Sequence, residues 1–380
     1  MHVPIELSQR TQNLHASPIR EILAVIDRPG MISFAGGLPA QETFPKINFD
    51  DLPASALQYG PTEGDLALRE KVAEDLCDLG LDCGPEQVLI LSGSQQGIDL
   101  VGKLFVDSGT PVAVESPTYL AALQVFRYFG ARFVDINLDQ PIGSVFGVER
   151  PRIAYAIPTF QNPTGRCYTA NMRETLAAAC DGADVTLFED DPYRDLVYEA
   201  CDRTPICAKL KRARWVYQGS YSKSLAPGLR LGYLAASPAL IPYLTRLKQA
   251  ADLHSNRVSQ WYVLSQLNEP GRKARLVELA KTYQRKRDAF AAALTRHIGD
   301  RATWQLPPGG LFFWLTLKQR IDTRDLLPRA IECGVAFMPG ESFYPNPDEG
   351  LGTIRLNFSH ASEQEANDGL RILAELLTQA

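Results

Sequence analysis

The sequence lacks the features that mark an exported, membrane-spanning or metal-binding protein. No apolar run approaches the roughly 18 residues that a membrane helix needs, and Glu6 stands where a signal peptide would have its apolar stretch. The seven cysteines are scattered and form no C-x-x-C pair, which disfavours a disulfide framework or a thiolate metal site. None of the five histidines has another at metal-ligand spacing, so we expect no metal ion. These absences predict a soluble, cytoplasmic protein of a reducing compartment.

An excess of positive charge is also absent. The chain of 380 residues has 39 Lys and Arg against 44 Asp and Glu, which gives a net charge of −5. Proteins that bind phosphate backbones or anionic lipid usually carry a basic excess. We therefore expect neither nucleic acid nor a membrane among the partners of this protein.

What the sequence does contain is an alternation of short apolar runs with helix-periodic stretches. Runs typical of buried strands occur at 87–91, 111–114, 152–157, 185–188, 215–217 and 231–235. Helical periodicity occurs between several of them, at 96–105, 119–129 and 171–180. This alternation predicts an α/β fold in which helices cover both faces of a sheet.

The pattern changes after Pro242 and predicts a second, smaller unit. Long helices are expected at 243–267 and 272–297. A strand at 311–317, a helix at 325–333, a strand at 353–358 and a helix at 363–377 follow. We interpret this part as a small α+β domain that a long helix joins to the sheet domain.

Polar residues follow the predicted strands where those strands end, and in α/β sheets ligands bind beyond the carboxyl ends of strands. Ser94 and Gln95 lie in a loop of small and polar residues that leads into a predicted helix, where backbone N–H groups and the helix dipole favour an anion. Asp190 lies in a run of three acids after an apolar strand, which is unfavourable unless a cation or ligand compensates the charges. The other residues at strand ends are Tyr119, Asn162, Ser220, Ser222, Lys223 and Arg230. Each alone is more often a turn or cap, but together they predict a ligand site.

Several motifs resemble those of the fold-type I aminotransferases that use pyridoxal phosphate. The most specific are Q-N-P-T-G at 161–165, E-D-D-P-Y at 189–193 and S-Y-S-K-S-L-A-P-G-L-R-L-G at 220–232. Others are S-P-I-R at 17–20, A-G-G-L-P at 35–39, Y-G-P-T-E-G at 59–64, P-G-G-L-F-F-W at 308–314 and R-L-N-F at 355–358. The chain is most similar to the branch with α-aminoadipate and kynurenine aminotransferases. The resemblance implies a large domain with a mostly parallel, seven-stranded sheet, and a smaller α+β domain.

The resemblance also implies roles for individual residues. Lys223 would hold the cofactor as a Schiff base and shuttle a proton, since a lysine amine can do both. Asp190 would keep the pyridine nitrogen protonated, and Tyr193 and Asn162 would hydrogen-bond the phenolic oxygen. Tyr119 would stack on the ring. The residues that would hold the phosphate are Ser94, Gln95, Ser220, Ser222 and Arg230, the last by a charge-assisted contact.

Substrate and subunit contacts follow from the same resemblance. Arg355 would bind the substrate α-carboxylate in a planar pairing that lysine cannot reproduce. Gly37, Asn162 and Arg20 would also contact the substrate, Arg20 at its side chain. Tyr59 would reach the phosphate of a partner subunit, which implies a homodimer. We expect an N-terminal segment over the active site at 1–45, the large domain at 46–270 and the small domain at 271–380.

The predicted function is transfer of an amino group from an L-amino acid to a 2-oxo acid, by a ping-pong scheme. Arg20 suits a second carboxylate, as in glutamate or 2-aminoadipate, whereas Ile19, Leu38 and Phe44 suit aromatic or branched side chains. We expect 2-oxoglutarate as the amino-group acceptor. The sequence does not decide which of these amino acids is the donor. A lyase, decarboxylase or synthase that uses the same cofactor is the alternative. A DNA-binding regulator with an aminotransferase-like domain is disfavoured, because only about 30 residues precede Ala35 where a winged helix would lie.

Overall fold

The structure is a computed structural model that describes residues 6–13 and 28–379. Its strands are β1 (Ile32–Ser33), β2 (Val88–Leu91), β3 (Pro111–Val114), β4 (Arg132–Asp135), β5 (Ile153–Ala156), β6 (Thr186–Asp190), β7 (Trp215–Ser220), β8 (Gly232–Ala236), β9 (Ala302–Thr303), β10 (Phe312–Leu317), β11 (Val335–Ala336), β12 (Met338–Pro339) and β13 (Thr353–Asn357). Its α-helices are α1 (Leu66–Asp78), α2 (Ser94–Phe105), α3 (Leu120–Tyr128), α4 (Ile142–Glu149), α5 (Ala170–Ala183), α6 (Ile241–Asp252), α7 (Arg257–Asn268), α8 (Arg272–His297), α9 (Thr323–Glu332) and α10 (Glu363–Thr378).

Seven strands form the central sheet, in the order β2-β8-β7-β6-β5-β3-β4. Strand β8 is antiparallel to both of its neighbours, and every other pair in this sheet is parallel. The predicted fold class is confirmed: this is a mostly parallel seven-stranded sheet with helices packed on both faces. The carboxyl ends of β3, β5, β6 and β7 share one edge, and the predicted site residues follow these ends.

The two faces of the sheet are buried under different helices. One face carries Leu89, Tyr155 and Phe188 and packs against α2 and α3. The other carries Ala154 and Leu187 and packs with residues of α1 and α5. Burial on both faces explains why the strands are apolar along their whole length rather than alternating.

A second sheet lies in the C-terminal part of the chain. Its four strands run in the order β12-β13-β10-β9 and are antiparallel. Helices α8, α9 and α10 contribute to its core, and Phe34 from the N-terminal part packs there as well. Strand β1 pairs in parallel with β11, so residues 32–33 join this part of the molecule. The predicted domain boundaries near residues 45 and 270 stay a prediction.

Three expectations about elements were wrong. The single helix expected at 243–267 is two helices, α6 and α7, because Leu253 adopts a left-handed φ of 63° and Asn256 caps α7 with its side chain. Strand β4 was missed, because three of its four side chains are exposed or half-buried at the sheet edge. Strand β6 was expected to end at Phe188 but continues to Asp190, because the acids at its end have partners described below.

Two negative findings hold for residues 6–13 and 28–379. No helix there is both long and apolar enough to cross a membrane. No group of three or more His, Cys, Asp or Glu side chains there is arranged to hold a metal ion.

Candidate active site

Asp190 is the acid at the end of β6 that lies on the face covered by α2. Its carboxylate accepts a hydrogen bond from the Tyr155 hydroxyl at 2.7 Å and one from Gln218 Nε2 at 2.9 Å. No basic side chain of the described residues pairs with it. Burial raises its pKa to about 6, the two hydrogen bonds oppose that rise, and the neighbouring Asp191 charge adds to it.

The acids on either side of Asp190 point to the opposite face of the strand, and each has an arginine. Asp191 accepts hydrogen bonds from Arg194 Nη1 at 2.6 Å and from the Tyr217 hydroxyl at 2.8 Å. Glu189 lies 3.9 Å from Arg173 Nη1, and both side chains are fully buried. Of three consecutive buried carboxylates, therefore, only Asp190 has no cationic partner among the described residues. A buried anion of this kind suits a cationic ligand group.

Lys223 follows β7 and lies half-buried beside the N-terminal segment. Its Nζ donates a hydrogen bond to the carbonyl oxygen of Gly37 at 2.6 Å. A Cβ on Gly37 would lie 3.3 Å from the Phe312 ring and 3.8 Å from Lys223 Nζ, so a side chain there would press on the ring and touch the amine. Burial lowers the pKa of Lys223 to about 8, and the positive charges of Arg355 and Arg230 lower it further. Near neutral pH this amine is much more often uncharged than an ordinary lysine.

Arg355, on β13, is joined through Asn162 to Tyr193. Its Nη1 donates to Asn162 Oδ1 at 2.9 Å, and its Nη2 donates to the carbonyl oxygen of Ala35. Asn162 Nδ2 in turn donates to the Tyr193 hydroxyl at 3.4 Å. The guanidinium lies 4.2 Å from the centre of the Phe312 ring. These contacts align a buried arginine without neutralising its charge.

No carboxylate of the described residues pairs with Arg355, and its buried Nε has no hydrogen-bond partner there. Burial lowers its pKa to about 10, which still leaves it protonated at neutral pH. Burial also raises the pKa of Tyr193, which therefore stays protonated. The site thus presents a fixed cation and a neutral hydroxyl donor on either side of Asn162.

The start of α2 and Arg230 form a cluster suited to an anion. Gly93 caps α2 with a φ of 84°, and a Cβ there would lie only 2.6 Å from Arg230 Nη2. Ser94 and Gln95 are the first residues of the helix, and Gln95 Oε1 accepts from the Tyr119 hydroxyl at 3.4 Å. The backbone N–H of Ser222 donates to Ser220 Oγ at 3.2 Å. Backbone N–H groups, hydroxyls and a guanidinium in one place are the donors that phosphate requires.

One predicted residue that the structure describes, Tyr59, lies apart from this group. It is 77% exposed and packs edge-on against His254 at 5.7 Å, with no hydrogen bond to another described site residue. Arg20 lies outside the described residues, so its assignment stays a prediction. Five of the remaining residues lie near one another, because the charges of Arg355 and Arg230 both act on the pKa of Lys223, and those of Asp190 and Arg355 both act on the pKa of Tyr119.

Sequence reasoning missed the residues that orient the site. Tyr155 and Gln218 hold Asp190, Phe312 packs under Arg355, and Gly97 makes room for Gln218. A Cβ on Gly97 would lie 1.8 Å from Gln218 Oε1. The two-residue period of strands could have identified Tyr155 and Gln218, since both point to the same face as Asp190 on the neighbouring strands. The role of Gly97 depends on how α2 packs and has no local signal.

Comparison with known proteins identifies the family. The sequence profile described as aminotransferase class I and II matches residues 48–373. The chain belongs to this family. The 2-aminoadipate transaminase of Thermus thermophilus is 39% identical over 96% of this chain and 94% of its own. The aromatic-amino-acid aminotransferase 1 of Thermococcus litoralis is 37% identical over 98% of this chain and 94% of its own.

A solved structure agrees with these relatives. The kynurenine aminotransferase of Pyrococcus horikoshii, in complex with PMP, superposes with a TM-score of 0.91 at 35% identity over 98% of this chain and 97% of its own. The aminotransferase described here is an enzyme of fold type I, and its cofactor is pyridoxal phosphate.

The residues present fit this cofactor. Asp190, which has no cationic partner among the described residues, offers a buried anion to a pyridinium nitrogen. Gly93 and Arg230 form a cradle that a Cβ would fill, next to the N–H groups at the start of α2. Lys223, the half-buried amine, is close enough to Arg355 and Arg230 for both charges to lower its pKa. Each chemical group of the cofactor would thus find a donor or acceptor of matching type.

Proposed function

We propose that this aminotransferase moves the amino group of an L-amino acid to a 2-oxo acid such as 2-oxoglutarate, with donors of the 2-aminoadipate, glutamate, aromatic or branched-chain type. The observation that carries the proposal is the buried guanidinium of Arg355, aligned by Asn162 and Ala35 and unpaired with any described carboxylate. A planar cation held in this way suits the α-carboxylate that all amino-acid and 2-oxo-acid substrates share. The names of the two relatives support the donor range.

The cofactor would be held by residues at both ends of the site. Asp190 would hold a proton on the ring nitrogen, oriented for this by Tyr155 and Gln218. Ser94, Gln95, Ser220, Ser222 and Arg230 would bind the phosphate. Asn162 and Tyr193 would donate hydrogen bonds to the phenolic oxygen, and Tyr119 would stack on the ring. Bound pyridoxal phosphate supplies an electron-withdrawing ring that stabilises negative charge at the substrate Cα.

Lys223 would attach the cofactor covalently and then move a proton to and from the substrate Cα. Both tasks need an amine that is uncharged in an appreciable fraction of molecules, and the lowered pKa of about 8 provides it. Arg355 and Gly37 would place the substrate so that its Cα lies within reach of this amine. Arg20 would contact the substrate side chain.

We also infer that the enzyme is a homodimer in which Tyr59 of one chain contacts the phosphate in the other, and that it is cytoplasmic. In support, large apolar side chains are exposed between residues 47 and 66, namely Ile47, Phe49, Leu57, Tyr59 and Leu66. Exposed apolar residues grouped in this way are typical of a surface that another protein chain covers. Tyr59 lies within this group and makes no contact with the site of its own chain.

A panel of amino acids tests the proposed substrates. Purified enzyme loaded with the cofactor is mixed with each L-amino acid in turn, with 2-oxoglutarate as acceptor, and glutamate and the new 2-oxo acid are measured. Turnover of 2-aminoadipate, aromatic and branched-chain donors is expected, with glutamate as donor in the reverse direction. Release of ammonia or carbon dioxide in place of glutamate would show a lyase or decarboxylase instead.

A further inference from the structure

Two cysteines that the proposed mechanism does not use lie beside the loop that carries Asn162. Cys167 and Cys201 are both half-buried and pack against one cluster with Tyr193, Leu196 and Phe312. The sulfur of Cys167 lies 3.3 Å from the carbonyl oxygen of Asp202, the residue next to Cys201. The two thiols are therefore neighbours, and each shifts the pKa of the other, although 33 residues separate them in the sequence.

Arg173 adds a positive charge to this pair. It is fully buried, and its Nη2 lies 3.7 Å from Cys167 Sγ and 2.9 Å from the carbonyl oxygen of Asp202. The same side chain donates to the carbonyl oxygens of Pro158, Tyr168 and Thr204. It thus already holds together the two segments that carry the cysteines.

The pKa values of the two thiols shift in opposite directions. The neighbouring Cys201 thiol and then the charge of Arg173 lower the pKa of Cys167 to about 7, against the effect of burial. The pKa of Cys201 is raised, first by the neighbouring Cys167 and then by burial. At neutral pH a large fraction of Cys167 is therefore thiolate, whereas Cys201 remains protonated.

We propose that Cys167 and Cys201 form a peroxide-reactive thiol pair that closes to a reversible disulfide. The thiolate of Cys167 attacks a hydroperoxide oxygen, which breaks the O–O bond and gives a sulfenic acid and a hydroxide or alkoxide. That leaving group takes a proton from solvent and departs as water or alcohol. The Cys201 sulfur then attacks the Cys167 sulfur, the S–S bond forms, and the sulfenic oxygen leaves as water with the proton of Cys201. Two thiols are oxidised by two electrons, and the peroxide is reduced by two electrons.

The backbone already brings the two cysteines together for an S–S bond. Cys167 Sγ lies 3.3 Å from the carbonyl oxygen next to Cys201, and the two sulfurs need to approach to about 2 Å. Arg173 keeps both backbone segments in place before and after the reaction. A thiol reductant would restore the pair, because the two residues are only half-buried.

The other cysteines supply internal controls. Cys77 and Cys333 are exposed, so accessibility alone would make them react first. Burial raises the pKa of Cys83, Cys180 and Cys207, which makes these thiols poor nucleophiles. Cys77 Sγ lies 3.7 Å from the carbonyl oxygen of Cys83, so a Cys77–Cys83 disulfide is the competing product.

Mass spectrometry of the intact enzyme tests the proposal. The holoenzyme is treated at neutral pH with one equivalent of hydrogen peroxide and digested without reductant. We expect a mass loss of two hydrogens, a cross-linked peptide containing Cys167 and Cys201, and full reversal by dithiothreitol. Cys167 should react roughly tenfold faster than Cys333, since an ordinary thiol is only a few per cent ionised at neutral pH.

Three variants complete the experiment, each checked first for bound cofactor to show that it is folded. C201S should stop at a sulfenic acid on Cys167, which a 1,3-diketone reagent captures, and C167S should leave Cys201 unmodified. C333S should behave like the unchanged enzyme. A Cys77–Cys83 cross-link as the main product, faster oxidation of Cys333 than of Cys167, or a disulfide that survives in C167S would overturn the proposal.

Discussion

At the scale of single residues, Asp190 differs from its neighbours on β6 in what balances its charge. Asp191 has Arg194, and Glu189 has Arg173, whereas Asp190 has only the neutral donors Tyr155 and Gln218. In the enzyme without cofactor its negative charge is therefore buried and uncompensated. This buried charge opposes folding until a cation binds beside it. Cofactor binding should therefore stabilise the fold.

Asp190→Asn should stabilise the cofactor-free enzyme in a pH-dependent way. The pKa of Asp190 is about 6 in the folded chain against an ordinary value of 3.8, so ionisation penalises folding above about pH 6, and the penalty disappears below about pH 4. This pKa difference is worth about 3 kcal/mol at most. Thermal unfolding of the apo variant should give a higher Tm than the unchanged apoenzyme at pH 7.5, and the same Tm near pH 4.

The same substitution should lower kcat by about 10²–10³-fold once cofactor is added, because the proton on the ring nitrogen loses its carboxylate partner. Asp191→Asn is the matched control: it breaks a buried ion pair and should destabilise the fold by about 3–5 kcal/mol. An Asp190→Asn enzyme of undiminished kcat would contradict the assigned role.

Arg355→Lys tests the substrate clamp. Lysine keeps the charge but has no planar guanidinium. It cannot contact Asn162 and Ala35 and also bind a carboxylate in the same plane. Loss of charge-assisted hydrogen bonds worth about 1.5–3 kcal/mol should lower kcat/KM by about 10–150-fold, mainly through KM. Steady-state kinetics with one donor measures this, with Arg371→Lys on the exposed face of α10 as the control. Unchanged KM for every donor would refute the role of Arg355.

At the scale of elements, helix α2 positions the site through its packing as well as through its N-terminus. Because Gly93 has no side chain, Arg230 can lie next to the start of the helix. One turn later, Gly97 leaves room for Gln218 in the same way. Gln218 holds Asp190, so the helix that would bind the phosphate also fixes the acid that would bind the ring. Helix α2 would thus position the residues that bind both ends of the cofactor.

Gly97→Ala should disturb this arrangement. The added Cβ would lie 1.8 Å from Gln218 Oε1 and would displace that side chain from Asp190. We expect weaker cofactor binding and a lower Tm, although alanine is the better helix former by about 0.5–1 kcal/mol. Gly143→Ala in α4 is the control, since its Cβ meets nothing within 4 Å and should leave Tm unchanged or raise it. Equal effects of both substitutions on cofactor binding would argue against the packing role.

Sequence patterns predict these elements only where local signals exist. The apolar strands and the long helix α8 follow directly from their periodicity. The end of β6 does not, because Glu189 and Asp190 are compatible with a buried strand only through Arg173, Tyr155 and Gln218, which come from other elements. The break between α6 and α7 likewise depends on tertiary contacts, since Lys248 Nζ and Ser92 Oγ each hydrogen-bond to both Asp252 and Ser255. Motifs identify the residues that would contact the cofactor and the substrate. They do not identify the residues that orient them, such as Tyr155 and Gln218.

At the scale of the whole molecule, net charge and local charge have opposite signs. The chain carries −5 overall, yet Lys223, Arg230 and Arg355 surround one site. An anionic cofactor and anionic substrates explain this separation. The exposed apolar residues between 47 and 66, which include Tyr59, support the inference that the working molecule has two chains.

Sedimentation and cofactor titration test this inference together. We expect the molar mass of a dimer, and we expect Tyr59→Phe to weaken cofactor binding by about 5–10-fold, the loss of one hydrogen bond of about 1 kcal/mol. Tyr243→Phe, at an exposed tyrosine of α6, should bind cofactor normally. A fully active monomer, or a Tyr59→Phe enzyme with unchanged cofactor affinity, would be incompatible with a shared site.

The most direct test of the account is a single half-reaction. Holoenzyme is mixed with an excess of a donor amino acid and no acceptor, while the visible absorbance of the bound cofactor and the 2-oxo acid are followed. The account predicts loss of that absorbance, one 2-oxo acid released per chain, and full recovery when 2-oxoglutarate is added. Lys223→Ala should slow the exchange by about 10²–10⁴-fold, whereas Lys281→Ala, an exposed lysine of α8, should not. Continuous release of ammonia or carbon dioxide without acceptor, or an active Lys223→Ala enzyme, would contradict it.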